Sequence, residues 1–358
     1  MGIKIALFQG ADNNAGDYLI VMRTKLLLKH LYPDCEIIEY FRNNSLEPYL
    51  QEINKCNIGI FAGGPAYFSL FYPKQAPLVE NLESITIPLM CVGVGWYGMD
   101  SMPYIVYDDI FQGKQLKLLQ RISKDSKIFG CRDFLSAHVL RNNGFNNVLM
   151  TGCPAWYDLE NIDKLTYEGP GIRNLKKICI SDCGRLDNLA QMVDVINFGA
   201  EFFGSEKDVY FVAHKSINEE IKPDLLNMLK ERNIEFVDIS GSCEGLKIYD
   251  DCDLHIGFRV HAHIYNLSKR NASILVEEDA RGTGVNNALG LPNISVSTRV
   301  INGIDLSNIV NENISLQLKD TLLDYESCKY AQLENAYRLM RTYFENMKRH
   351  LMLIKDIV

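Results

Sequence analysis

Within five residues the chain presents Arg259, His261 and His263, directly after the apolar run Leu254-His255-Ile256-Gly257-Phe258. Arginine carries a planar fork of donors that matches a carboxylate or a phosphate. Histidine moves a proton near neutral pH. An Arg-x-His pair at a strand end therefore reads as an anion site with an acid or base attached. The plainer alternative is a helix start with incidental polar caps. Gly257 lets a ligand or a second backbone come close. A helix is predicted over 262–269 and a strand over 272–276, which ends in Glu277-Glu278-Asp279. Arg281-Gly282-Thr283-Gly284 reads as a tight polar loop. Charged groups thus gather at the carboxyl ends of two strands, the edge where parallel sheets bind ligands.

The rest of the chain must build that edge. An apolar strand at 3–8 breaks into a loop through Asn14, Gly16 and Asp17, and a helix with Leu19, Met22 and Leu26 at helical spacing is predicted over 18–31. Amides at such a helix start suit an anion or a sugar hydroxyl, and Asp17 reads equally as a cap. The loop is not a dinucleotide fingerprint, because GxGxxG is absent. A strand at 57–62 ends in Gly63-Gly64-Pro65, and one at 87–92 ends in Gly93-Val94-Gly95-Trp96-Tyr97-Gly98. Three strands finishing in glycine-containing loops point to one shared rim. Residues 77–82 read as helical. Arg132-Asp133, after a strand at 127–131, reads as an ion pair at a helix start. Strand and helix alternation resumes at 177 and passes through Ala213-His214-Lys215, so a second parallel α/β unit is expected. The expected division is an N-terminal α/β domain at 1–160, a polar linker at 161–175 with Gly169-Pro170-Gly171, a C-terminal α/β domain at 176–323, and a long helix at 324–358 that packs across the domains. Leu333, Tyr337, Met340 and Phe344 supply its apolar face. Asp251-Cys252-Asp253 imitates the DxD of metal-dependent glycosyltransferases but falls at the wrong edge of the sheet, so capping is the better reading.

Composition narrows the classes. Of 358 residues, 47% are hydrophobic and 23% charged, as in a globular protein. A net charge of −8 with no basic block argues against nucleic acid. None of the 10 cysteines forms a CxxC, so free thiols in a reducing cytosol are expected, and no metal site. No run reaches membrane length, which leaves association with a membrane surface to a partner.

The pieces Asn14-Ala15-Gly16-Asp17, Gly63-Gly64-Pro65, Val92-Gly93-Val94-Gly95, Cys131-Arg132-Asp133-Phe134-Leu135-Ser136, Gly257-Phe258-Arg259-Val260-His261-Ala262 and Ala288-Leu289-Gly290-Leu291-Pro292 resemble, in order and spacing, the polysaccharide pyruvyl transferase family. The chain departs from it at Cys153-Pro154-Ala155, where the family often has Asp-Pro-Ala. It departs also at Gly-Gly-Pro in place of three glycines, and at Arg281, where lysine is common. The resemblance implies two Rossmann-like parallel-sheet domains in a GT-B-like arrangement. It implies transfer of the enolpyruvyl unit of phosphoenolpyruvate to two hydroxyls of a sugar, oligosaccharide or lipid-linked saccharide, with no metal and no nucleotide cofactor. By the same carry-over, Arg259 is a donor-site arginine and His261 the general acid, expected to carry a positive charge. Arg185 and Arg281, and behind them Lys215, are further donor-binding candidates. His214, Asp17 and Asp279 are candidates for the base, and the sequence does not choose among them. The acceptor is expected against Asn14, Gly16, Asp17, Gly64, Trp96 and Tyr97. Rival readings are a nucleotide-sugar glycosyltransferase and a non-catalytic sugar-binding protein on the same fold.

Overall fold

Apolar runs buried on both faces make the centre of each sheet, as parallel sheets require. The computed structural model describes residues 2–98, 110–204, 206–296 and 313–358. The first half runs β1 (Lys4–Gln9), α1 (Ala15–Leu31), β2 (Glu36–Phe41), a short α2 (Leu50–Ile53), β3 (Ile58–Ala62), β4 (Pro65–Tyr67), β5 (Leu89–Val92) and β6 (Gly95–Trp96). It continues with α3 (Gly113–Asp125), β7 (Phe129–Cys131), α4 (Phe134–Asn142) and β8 (Val148–Met150). Four strands form a parallel sheet in the order β2-β1-β3-β5. Every residue of β3 is buried, whereas the edge strand β2 turns Glu36 and Glu39 to solvent.

The second half runs β9 (Lys177–Ser181), α5 (Leu189–Phe203), β10 (Asp208–Ala213), α6 (Lys222–Glu231), β11 (Glu235–Asp238), β12 (Leu254–Gly257), α7 (Val260–Lys269), β13 (Ala272–Glu277), α8 (Ala280–Leu289) and β14 (Ile294–Ser295). Its six strands are parallel in the order β11-β10-β9-β12-β13-β14. That is the doubly wound order, and its direction reverses between β9 and β12. In the first sheet the reversal lies between β1 and β3. Ligands bind outside the carboxyl ends of strands at such reversals. The two reversal points face each other. Ala15 N–H after β1 donates to the His214 carbonyl after β10 at 3.2 Å, and Gly241 N–H donates to the Asn13 carbonyl at 2.8 Å.

Three helices close the chain, α9 (Ile314–Ser327), α10 (Ala331–Met352) and a short α11 (Ile354–Ile357). The single helix expected over 324–358 is corrected here, since Lys329 and Tyr330 take φ of 53° and 61° and break it. Tyr330 is held there by stacking on Tyr167 at 4.3 Å. The apolar face of α10 is the expected one, with Leu333, Tyr337, Met340 and Phe344 buried. Its polar atoms reach both halves: His350 Nε2 meets the Cys91 carbonyl at 2.8 Å and Tyr343 donates to Ala288 at 3.0 Å. Two further corrections concern short elements. Residues 281–284 are not a loop but the first turn of α8, capped by Asp279. Residues 77–82 form no helix up to a short turn beginning at Leu82. Part of the stretch expected as the second domain, 297–312, lies outside the described residues. No described helix is long and apolar enough to cross a membrane.

Asp251 and Asp253 stand at the amino edge of the second sheet, opposite the carboxyl ends. Asp253 accepts the Lys176 and Lys177 amides at 2.6 and 3.0 Å, and Asp251 pairs with Lys177. Asp253→Ala is therefore expected to lower stability by about 1–3 kcal/mol in denaturant titration. Asp251→Ala should leave both stability and turnover within about twofold. A large loss of turnover in Asp251→Ala, with stability intact, would restore the metal-binding reading.

Candidate functional site

The site is built where β9 and β12 lie side by side. Gly257 ends β12 with φ of +145°, and a Cβ there would stand 2.5 Å from Ser181 Oγ. Only glycine allows this approach. The Ser181 hydroxyl then accepts the Arg259 N–H at 3.1 Å. Asp182, next along and 1% exposed, fixes the arginine side chain. Nε donates to Oδ1 at 2.7 Å and Nη2 donates to Oδ2. The same carboxylate accepts His214 N–H at 3.0 Å. Arg259 Nη1 remains turned toward Gly184 on the cavity wall.

His261 occupies the first turn of α7, and its ring lies flush on the first turn of α1. A Cβ at Gly16 would fall 2.0 Å from His261 Nδ1. Gly16 of the Asn14–Asp17 motif is thus the floor under the imidazole. Gly16→Ala is expected to swing the ring out of place and cost about 10²-fold or more in turnover, close to the loss in His261→Ala. The double variant should lose no more than either single one, because both remove the same group. Additive losses would refute the contact.

One cavity between the two halves is lined by Asn14, Asp17, Gly64, His214, Arg259, His261 and Arg281 among others. These come from five different parts of the chain. Arg132 also lines it, with Nε on Asp133 at 2.8 Å and Nη2 on the Trp96 carbonyl at 3.2 Å. Arg281 is gripped by Asp279 through Nε at 2.9 Å and Nη2 at 2.6 Å. His261 lies deep in the molecule with one face open to the cavity. Burial, then Arg281, Arg132 and Arg259, pull its pKa down from the ordinary value to about 3. Burial first, and the three guanidiniums after it, disfavour the charged form of His261 in the empty site.

The three candidate bases differ. Burial pushes Asp279 up, but Arg281 overrides it and holds the carboxyl below its usual range. His214 is fully buried, with Nε2 on Tyr249 OH at 2.7 Å and Nδ1 without a partner among the described residues. Burial and then Arg259 push its pKa well down. The Asp17 carboxylate makes no hydrogen bond or ion pair among the described residues, though its N–H donates to the Asn14 carbonyl at 3.0 Å, and burial raises its pKa against the pull of Arg42, Arg281 and Arg259. It is a cavity carboxylate with both oxygens available. It is not the cap of α1, which is Asn14, bonded to Gly16 N–H at 3.0 Å.

Some expected residues lie elsewhere. Arg185 and Lys215 line a separate, more open cleft beside Leu186 and Met192, which meets the cavity at Gly184 and Arg259. Arg185 pairs there with Asp187 at 2.6 Å. Trp96 is 6% exposed and does not line the cavity. Tyr97 stands outside the lining with its ring 5.4 Å from the Arg281 guanidinium carbon and 5.9 Å from the Phe68 ring. His263 is buried, with Nδ1 on Ser273 Oγ at 2.8 Å. Sequence reasoning passed over Asp182 as a site residue and took Arg132 as structural. Both directly follow a strand, at the carboxyl edge already singled out, which is the signal that marks them.

The sequence model of polysaccharide pyruvyl transferases matches residues 14–265. Arg281 and the stretch from Ala288 to Pro292 lie beyond that match. No curated protein matches the chain. Among solved structures, S. aureus MnaA in a co-structure with UDP is similar in fold, with 12% identity, a TM-score of 0.60, and coverage of 99% of this chain and 98% of that one. UDP-GlcNAc 2-epimerase from Neisseria meningitidis bound to UDP-GlcNAc has 10% identity, a TM-score of 0.56 and 99% coverage of both chains. At these identities the likeness is one of fold, and the two facing parallel sheets with α10 across them are GT-B-like.

Proposed function

The chain belongs to the polysaccharide pyruvyl transferase family, and from that premise we propose that it moves the enolpyruvyl unit of phosphoenolpyruvate onto two hydroxyls of a saccharide, giving a cyclic pyruvate ketal and phosphate. The observation that carries the reading is the convergence of Arg259, Arg281 and Arg132 around His261 in one cavity. Such a charge density suits a small polyanion that carries both a carboxylate and a phosphate. The first amides of α7, next to Arg259, offer the phosphate a second set of donors.

The donor's charge offsets the guanidiniums, so His261 gains a proton as the donor arrives. It delivers that proton to C3 of the enol, and C2 becomes electrophilic. One acceptor hydroxyl attacks C2 while Asp17 takes its proton. The C2–O bond to phosphate breaks, and the second hydroxyl closes the ring on C2. Two hydroxyl protons leave the acceptor, one ending on C3 and one on phosphate, so the sum balances with no metal and no nucleotide. The acceptor lies on the side of Asn14, Asp17 and Gly64. Tyr97 and Phe68 stand near this side as the aromatic faces on which a sugar can stack.

A nucleotide-sugar glycosyltransferase is the rival, and both neighbours hold UDP or a UDP-sugar. That chemistry wants a carboxylate for the ribose, and the acidic run that begins at the last residue of β13 is otherwise engaged. Glu277 takes Thr283 Oγ at 2.6 Å and Asn286 Nδ2 at 2.7 Å. Glu278 takes Gly184 N–H at 2.8 Å and Asn188 Nδ2 at 2.7 Å, and Asp279 holds Arg281. The deciding assay incubates the protein with phosphoenolpyruvate and a saccharide panel. Phosphate release matched one to one by a ketal-bearing product supports the reading. Hexose transfer from a UDP-sugar, with no phosphate released from phosphoenolpyruvate, overturns it.

A further inference from the structure

Arg42 follows β2 at the carboxyl edge of the first sheet, is 5% exposed, and had no place in the chemistry above. Its Nη1 donates to the carbonyls of Ala62 and Gly63 at 3.4 and 3.0 Å, and its guanidinium carbon is 5.5 Å from the Phe71 ring centroid. Glycines clear the space for it. A Cβ at Gly64 would stand 2.7 Å from Nη2, and one at Gly10 would stand 3.0 Å from Nε. Arg259, Arg281 and Arg132 each hold a carboxylate, at Asp182, Asp279 and Asp133. Arg42 has none within ion-pair distance among the described residues, and its Nε lacks a partner. A buried cation without a counter-ion is costly, of the order of several kcal/mol, so its retention asks for a reason.

The reason lies in the cavity that Gly64, the residue against which the guanidinium rests, also lines. Asp17 is the cavity carboxylate with no bonded partner, and Gly64 lines the same wall. We propose that Arg42 is a positioning residue, a cation held against the glycine turn of the cavity wall that favours the charged form of Asp17 while leaving both of its oxygens open to acceptor hydroxyls. A direct ion pair would occupy those oxygens, as Arg281 occupies Asp279. A cation one layer back exerts its field and blocks nothing. The other charges facing Asp17 are Arg281 from α8 and Arg259 from the start of α7, with Arg132 farther round the wall. His261 and His214 face it as neutral rings, and Glu278 and Asp279 are tied to the loop after β9 and to Arg281. Of all these charges, that of Arg42 acts most strongly on Asp17.

The role of Asp17 as base rests on the proposed function, but its titration does not need a substrate. The test is an infrared difference titration of the full-length protein, wild type minus Asp17→Asn, repeated in Arg42→Gln, Arg42→Met and Arg42→Lys. The neutral variants are expected to raise the Asp17 midpoint by about one pH unit or more. Arg42→Lys should keep it within about half a unit. The acid limb of the transfer-rate profile should move by the same amount. An unmoved midpoint in a folded neutral variant overturns the proposal. So does failure of both neutral variants to fold, which would make Arg42 a folding residue. A midpoint that moves in a protein with no pyruvyl transfer would sink the functional reading and leave the pairing of Arg42 with Asp17 standing.

Discussion

His261→Gln is expected to lower the turnover of pyruvyl transfer by about 10²–10⁴ while donor affinity changes by less than about tenfold. Glutamine keeps a polar side chain on the Gly16 floor but has no proton to give. In the empty site burial, and after it the neighbouring arginines, disfavour a charged His261. A donor carrying two to three negative charges cancels that field and raises the proton affinity of the ring. The sign follows: a pKa that lies below the working pH before binding and rises through it on binding means that the donor and a proton bind together. Donor affinity should then fall as pH rises. The phosphate of the donor titrates at about pH 6, so at pH 7.5 it contributes little. Calorimetry in buffers of different ionisation heats should read close to one proton taken up per donor in the wild type and none in His261→Gln. A variant that transfers at the wild-type rate would remove His261 from the chemistry. Equal proton uptake in both proteins would assign the proton to another group.

The folded protein is expected to be lost steeply as pH falls from about 6.5 toward 4. His214, His255, His263 and His350 are each 0–1% exposed, and burial, the largest cause in all four, pulls every one below its ordinary pKa, to about 3 for His263 and about 4 for His350. The unfolded chain protonates them near pH 6.5 and the folded chain does not. Stability is therefore whole above that pH and declines below it by up to about 1.4 kcal/mol per pH unit per histidine. Asp17 and Glu278, raised by burial, pull the other way but only near the carboxylate range. Over two such units the four histidines together remove up to about 11 kcal/mol, which exceeds most of the ordinary stability range of about 5–15 kcal/mol. Thermal melts across this window check the claim. His350→Gln, which keeps a donor for the Cys91 carbonyl, should flatten the slope by about one proton. A melting temperature level between pH 7 and 5 would contradict it.

The Arg259 and His261 pair was legible because strand, glycine and charged residues follow one another in sequence. Arg132 and Asp182 gave the same strand-end signal at lower contrast, since each reads as one half of a local ion pair or turn. Arg42 also follows a strand, β2, but its meaning lies in Gly10, Gly63 and Gly64, loops brought to it by strand order. The first turn of α8 was misread for a physical reason. Arg281-Gly282-Thr283-Gly284 has weak helix propensity, and what holds the helix is the Asp279 cap and bonds from Thr283 and Asn286 to Glu277. Trp96 was expected on the acceptor side by its aromatic character. In β6 its backbone is pinned by the Ser136 hydroxyl and by Arg132, and the ring is buried. Which way a ring points depends on register, and register is not written in three residues. The break before α10 carries no glycine or proline, and stacking of Tyr330 on Tyr167 more than a hundred residues earlier supplies what the local sequence omits.

The most direct test of donor identity is calorimetric binding of phosphoenolpyruvate against UDP-GlcNAc, with Arg259→Ala as the paired variant. Phosphoenolpyruvate binding that drops by about 10²-fold or more in the variant, with no UDP-GlcNAc signal, is the result expected for a doubly held anion site at Arg259. UDP-GlcNAc binding without phosphoenolpyruvate binding, or phosphoenolpyruvate binding indifferent to Arg259, would contradict the account.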